Sequence, residues 1–184
     1  MRWCNTANSW GLISQTLHWI VVLLLIWQFT TALIAANLPL GLEKLAMLTR
    51  HKSVGMLVLG IVVFRIAWRL ANTTPSGPIN CPVWQKRLAR CSHLIMYLCL
   101  IGLPISGWIM SSARNFPVSF FGLFQVPDLV APDTGLYEHF RSFHGWLACV
   151  LAATVSIHIL AALKHHFVDR DEVLRRMLPK LHRN

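Results

Sequence analysis

Four stretches of about 20 residues each, almost without charge, dominate this chain: residues 17–36, 54–70, 91–110 and 146–163. Each is long enough to cross the hydrocarbon core of a bilayer, which takes about 20 mostly apolar residues. Backbone N–H and C=O groups find no water there, so each stretch must close its hydrogen bonds within a helix. With 55% hydrophobic and 13% charged residues in 184, no apolar-poor segment is left to form a soluble domain. The expectation is an all-α membrane protein, a single four-helix transmembrane bundle over residues 1–184. Turn formers and charges bound its helices at about 9–37, 51–71, 87–111 and 140–168. The first stretch is too long, and carries too many polar and aromatic groups (His18, Trp19, Trp27), to be a cleaved signal peptide.

The formal charge of +10 is arranged by topology. An even number of crossings puts both termini and the second connection on one side, which holds Arg2, Arg65, Arg69, Lys86, Arg87, Arg90, Lys164, Arg170, Arg175, Arg176, Lys180 and Arg183. The other side holds Lys44, Arg50, Lys52, Arg114 and Arg141. Twelve basic residues against five place both termini in the cytoplasm. The basic tail then faces anionic lipid, and no nucleic-acid partner is expected. Five cysteines (Cys4, Cys81, Cys91, Cys99, Cys149) show neither a disulfide framework nor zinc spacing. There is no phosphate-binding glycine loop, no internal repeat and no nucleophile triad. The connection from Ser111 to Ser142 is the longest, and its "FPVSFFGLFQVP" is apolar enough to lie on the bundle as an interfacial cap.

Histidines are the chemical content. His144 and His158 lie fourteen residues apart in the last stretch. At about 100° and 1.5 Å per residue they share a face and stand roughly 21 Å apart along the helix. His18 near the cytoplasmic start of the first helix matches His158 in depth; His51 at the outer start of the second matches His144. Two imidazoles facing one another across helices suit the axial positions of a haem iron, whereas zinc or copper would want further side-chain ligands that neither level offers. Absence of C-x-x-C-H leaves non-covalent b-type haem. Arg65, fourteen residues after His51, and Arg69 are placed to meet inner propionates; Arg50, Lys52 or Arg141 are placed to meet outer ones or to line the outer mouth. His93, at the cytoplasmic end of the third helix, fits an interfacial side chain first, with a bond to a propionate or a quinone as the alternative. His139 belongs to the outer loop, and His165 and His166 to the cytoplasmic surface. Trp10, Trp19, Trp68 and Trp146 fit the interfacial belt, with Trp19 and Trp146 also candidates to pack on porphyrin.

The segments "TLHWIVVLLLI", "HKSVGMLVLGIVVFRIAWRL", "HLIMYLCLIGLPISG" and "HGWLACVLAATVSIHILAALKHHFVDRDEVLRRML" resemble the bacterial cytochrome b561 family over nearly the whole chain. The resemblance implies four transmembrane helices and two b haems, held by one histidine each from helices 1 and 2 and two from helix 4. Those positions are His18, His51, His144 and His158, the set that depth selects. It further implies electron transfer between a periplasmic-side donor and ubiquinone, with superoxide a candidate donor because one characterised relative is a superoxide oxidase. Similar cytochrome subunits of formate dehydrogenases and nickel–iron hydrogenases give an alternative, a membrane subunit wiring a larger enzyme to quinone. A haem-free anchor or proton-handling bundle is the reading from another class.

Overall fold

The computed structural model describes residues 3–76 and 82–178. Arg2, Cys81, Lys180 and Arg183 lie outside these residues. Four helices follow in order: α1 (Leu12–Asn37), α2 (Leu42–Ala71), α3 (Val83–Ala113) and α4 (Thr134–Phe167). All four are long and apolar enough to span a membrane. Their faces are inside-out relative to a soluble bundle: Leu23, Ile26, Leu33, Val63, Leu98, Ile157 and Leu160 are exposed, as lipid-facing side chains should be.

The helices overrun the limits read from hydropathy because they extend past the hydrocarbon. At 34 residues α4 is roughly 51 Å long against a core of about 30 Å. It begins at Thr134, six residues earlier than expected, where the Asp133 carboxylate caps the Leu136 N–H at 2.9 Å. Asp133 N–H also reaches the Ala113 carbonyl (3.0 Å), fastening the start of α4 to the end of α3. Helix α2 begins at Leu42, so Arg50, His51 and Lys52, expected at a helix start or in a short loop, sit within helix. Conversely α1 starts at Leu12 rather than near Ser9, because Gly11 N–H turns to the Asn5 side chain (2.9 Å).

The long α3–α4 connection is an antiparallel hairpin, β1 (Val118–Phe120) with β2 (Phe124–Val126). Phe121 and Gly122 both adopt positive φ (50° and 76°), and Leu123 N–H closes on the Phe120 carbonyl at 2.9 Å, the turn whose twist suits a tight hairpin. Ser53 of α2, 2% exposed, donates to the Ser119 carbonyl (2.7 Å) and accepts from Phe121 N–H (3.2 Å). Lys52 Nζ bonds the Phe116 carbonyl at 2.8 Å and lies 3.5 Å from the Phe116 ring centre. The expected cap is therefore present, built as a short hairpin, and covers what we call the hairpin end.

The opposite, termini end is closed by chain segments. Asn5 and Ala7 bond Thr73 and Ser76 of the α2–α3 connection. Gln15 and Trp19 of α1 donate to the Arg176 and Met177 carbonyls at 2.9 and 2.8 Å. Both described terminal segments thus lie at one end, as four crossings require.

Packing is uneven. Helix α3 packs most extensively on α4, α1 on α2, and α2 on α3, whereas α4 has no comparable contact with α1 or α2. Val21, Val54, Val58, Val62, Cys99, Leu100, Leu147 and Leu151 form the buried cluster. The "IGLPISG" run explains the tight α3–α4 seam. A Cβ at Gly102 would stand 3.3 Å from Leu147 Cδ1, and one at Gly107 3.3 Å from His144 Cε1. Small residues are what let membrane helices approach this closely.

Candidate functional site

The weak α4 contact with α1 and α2 leaves a gap, and the four histidines face one another across it. At the hairpin end His51 of α2 meets His144 of α4 with ring centroids 6.4 Å apart and planes at 71°. At the termini end His18 of α1 meets His158 of α4 at 6.3 Å and 66°. The pairs are those expected from depth, and the fourteen-residue repeat of α4 supplies one member of each.

The hairpin-end level opens into a cavity of about 310 Å³, lined by both imidazoles, by apolar side chains such as Leu25, Phe29 and Met56, and by Gly55, Gly107 and Gly145. His144 Nδ1 lies 2.9 Å from Ser106 Oγ, and His51 Nδ1 lies 3.3 Å from Thr31 Oγ1. Gln28 donates to the His51 carbonyl at 3.1 Å, while its Oε1 is buried without a partner among the described residues. Lys52 lines this cavity; Arg50 is exposed and does not, and Arg141 is drawn to Glu138 at 3.4 Å on the surface. Of the three cations expected near the outer mouth, only Lys52 is at the cavity.

At the termini end Arg65 reaches inward and donates from Nη2 to His18 Nδ1 at 3.1 Å. Arg69 lies over the Tyr97 ring at 5.9 Å. Both arginines line a smaller cavity of about 20 Å³ with Trp68 and Met177. His93 joins this level, its ring 5.5 Å from that of His158. Trp19 stands edge-on to His18 at 5.5 Å, whereas Trp146 is 62% exposed and stacks with Phe143 instead of entering the gap. His139 is exposed. His165 Nδ1 is clasped by Asp171 at 2.6 Å and Asp169 at 3.3 Å, where Lys164 already bonds both Asp169 oxygens.

The ring spacing tests what the pairs can hold. An imidazole nitrogen sits about 2 Å from a bound metal ion of this class. A planar five-membered ring with sides of about 1.33 Å keeps each nitrogen roughly 1.1 Å from its centre. Two imidazoles on opposite sides of one ion should therefore have centroids about 6.2 Å apart. The observed 6.3 and 6.4 Å match it at both levels. Among the described residues neither pair has a carboxylate or thiolate beside it, so the two imidazoles would leave a metal's remaining positions to a macrocycle, which is the haem case.

Sequence reading did not find Thr31, Ser106 or Gln28. Each is a polar residue within an apolar run, and nothing in one dimension says whether its partner is its own helix or a neighbour's ring.

A lipid-spanning four-helix bundle whose helices present facing histidines at two depths is a membrane cytochrome scaffold. The family model for prokaryotic cytochrome b561 matches residues 9–180. The chain is 37% identical over 185 residues to cytochrome b561 homolog 2 of Escherichia coli (strain K12), covering 98% of this chain and 96% of that one. It is 27% identical over 165 residues to cytochrome b561 homolog 1 of the same organism, covering 89% and 93%. To the probable superoxide oxidase CybB of Yersinia pestis it is 30% identical over 164 residues, covering 89% and 92%. The chain belongs to the prokaryotic cytochrome b561 family, multi-pass membrane proteins of electron transfer, and membership implies b-type haem.

Proposed function

We propose that this chain binds two b haems, one between His18 and His158 and one between His51 and His144, and conducts electrons across the bacterial inner membrane to ubiquinone. The observation that carries it is the same metal-sized imidazole gap at two depths of one bundle. Bound haem supplies one-electron chemistry; the protein supplies ligands, orientation and electrostatics. Four imidazoles offer axial nitrogens, and the apolar walls of the hairpin-end cavity exclude water. Arg65, bonded to His18, and the neighbouring Arg69 would supply cations for the propionates of the His18/His158 haem, and Lys52, which lines the cavity, would do so at the other level. The basic bias of the termini end favours the cytoplasm for it, which makes the hairpin end periplasmic.

Similarity to a probable superoxide oxidase, together with Lys52 at the cavity, favours superoxide as the periplasmic donor. The balance is two superoxide anions giving two dioxygen molecules, with two electrons and two protons converting ubiquinone to ubiquinol.

Pyridine haemochrome analysis tests the assignment: two haems per chain in the wild type, one in each of the His18→Ala, His51→Ala, His144→Ala and His158→Ala variants. Difference spectra should group His18 with His158 and His51 with His144. Any other grouping refutes the pairing. For the donor, enzymatically generated superoxide should drive ubiquinone reduction by proteoliposomes, and no superoxide-dependent ubiquinol would remove that reading.

A further inference from the structure

We propose that Thr31 and Ser106 are positioning residues that set the tautomer of His51 and His144, leaving the Nε2 lone pair of each free for an iron. It rests on the reading that these two histidines are axial ligands. Ser106 Oγ stands 2.9 Å from two atoms, the Leu103 carbonyl oxygen and His144 Nδ1. A hydroxyl has one hydrogen, and a carbonyl oxygen has none. Two oxygens at that distance attract only with the hydrogen between them, so the hydroxyl proton is committed to Leu103. The contact to His144 is then an Nδ1–H donating to Oγ, beside the Leu103 carbonyl that also accepts from this ring. A neutral imidazole protonated at Nδ1 carries its lone pair on Nε2.

The same accounting holds across the gap. Thr31 has one hydrogen, shared between the Trp27 and Gln28 carbonyls at 2.9 and 3.1 Å, so Oγ1 presents a lone pair to His51 Nδ1 at 3.3 Å, beside the Gln28 carbonyl that also accepts from this ring. Both hydroxyl residues are buried, Ser106 at 1% and Thr31 at 4% exposure, so no bulk water competes. Ser106 is on α3 and Thr31 on α1, the helices that carry neither histidine of this pair. Each ligand helix is thus oriented by its neighbour.

The other level is built differently, which provides an internal control. Arg65 is a pure donor, so His18 Nδ1 accepts and its proton resides on Nε2. His18 offers Nε2 to a metal only after Arg65 turns to another acceptor. Among the described residues, the hydroxyl contacts to ligand rings are those of Thr31 and Ser106 at the His51/His144 level.

An acceptor on Nδ1–H makes an imidazole a stronger electron donor to its metal and holds the ring in place. Removing it should destabilise ferric iron at that level, raising its midpoint potential, and should loosen the haem. The test compares holoprotein of the wild type with Ser106→Ala and Thr31→Val, and with Ser106→Thr and Thr31→Ser, which keep the hydroxyl. Redox titration and haem transfer to excess apomyoglobin are read at each level, the levels being assigned from the His51→Ala spectrum. Ser106→Ala and Thr31→Val should raise the midpoint of the His51/His144 haem and speed its loss about 10- to 100-fold. The hydroxyl-keeping variants should stay near wild type, and the His18/His158 haem should be unmoved in all four. If Ser106→Ala does not fold, the near-isosteric Thr31→Val decides alone. Wild-type behaviour in the hydroxyl-free variants overturns the proposal, and so does an equal shift in the hydroxyl-keeping ones, which would make packing the cause. Retention of both haems in His144→Ala instead sinks the axial reading itself, whatever the hydroxyl variants do.

Discussion

Gly107→Ala is the sharpest probe of how closely α3 supports the hairpin-end site. The added Cβ would lie 3.3 Å from His144 Cε1 and 3.5 Å from its Nδ1. Carbon atoms are most comfortable at about 3.5–4.0 Å, so the ring must retreat by a few tenths of an ångström or the helices must part. The ring has little freedom to do so, being held by Ser106 at 2.9 Å on one side and, when loaded, by the iron on the other. Overpacking at a fixed group costs about 1–3 kcal/mol. If this falls on the ligand, haem affinity at the His51/His144 level drops about 5- to 150-fold. Gly60→Ala is the matched control, because a Cβ there meets nothing within 4 Å. It should retain both haems and gain about 0.5–1 kcal/mol from helix propensity. Haem transfer to apomyoglobin measures the affinities, and thermal unfolding in detergent measures the control. Wild-type haem retention at both levels in Gly107→Ala would refute the claim that this glycine exists to admit the imidazole.

Two further outcomes test the ends of the bundle. Ser53→Ala removes the bonds to Ser119 and Phe121 from a side chain 2% exposed, which should cost about 1–3 kcal/mol. Amide exchange should quicken across residues 118–126 while that of α4 stays unchanged; unaltered exchange in the hairpin would show that Ser53 does not hold it. Gln15→Leu with Trp19→Phe deletes the two α1 donors to the Arg176 and Met177 carbonyls. Trypsin should then cut at Arg175 and Arg176 faster than in wild type, and only from the cytoplasmic face of oriented vesicles. Cleavage from the other face would invert the proposed topology.

Much of this molecule is legible in one dimension, because the bilayer enforces it. An apolar run of about 20 residues has no alternative to a helix in hydrocarbon. Depth then follows from position along a helix, so residue numbers alone match His18 with His158 and His51 with His144. Helix ends are less legible. Outside the hydrocarbon the first turns of α2 and α4 carry polar residues such as Glu43, Lys44 and Thr134, and hydropathy stops reporting on them. The α3–α4 connection was recognisable as a cap by its apolar residues, but its hairpin depends on Phe121 and Gly122 sharing a left-handed turn.

What the chain alone determined was the number of crossings, the depth of each histidine and the small residues where α3 meets α4. What only the folded molecule decided was which polar atoms meet: Ser106 and Thr31 on the imidazoles, Arg65 on His18, Lys52 held by the hairpin while Arg50 faces away from the cavity. The physical reason is range. Burial in lipid acts on every residue of a segment at once and leaves a periodic record, whereas a hydrogen bond depends on a few tenths of an ångström between helices that the sequence does not list side by side.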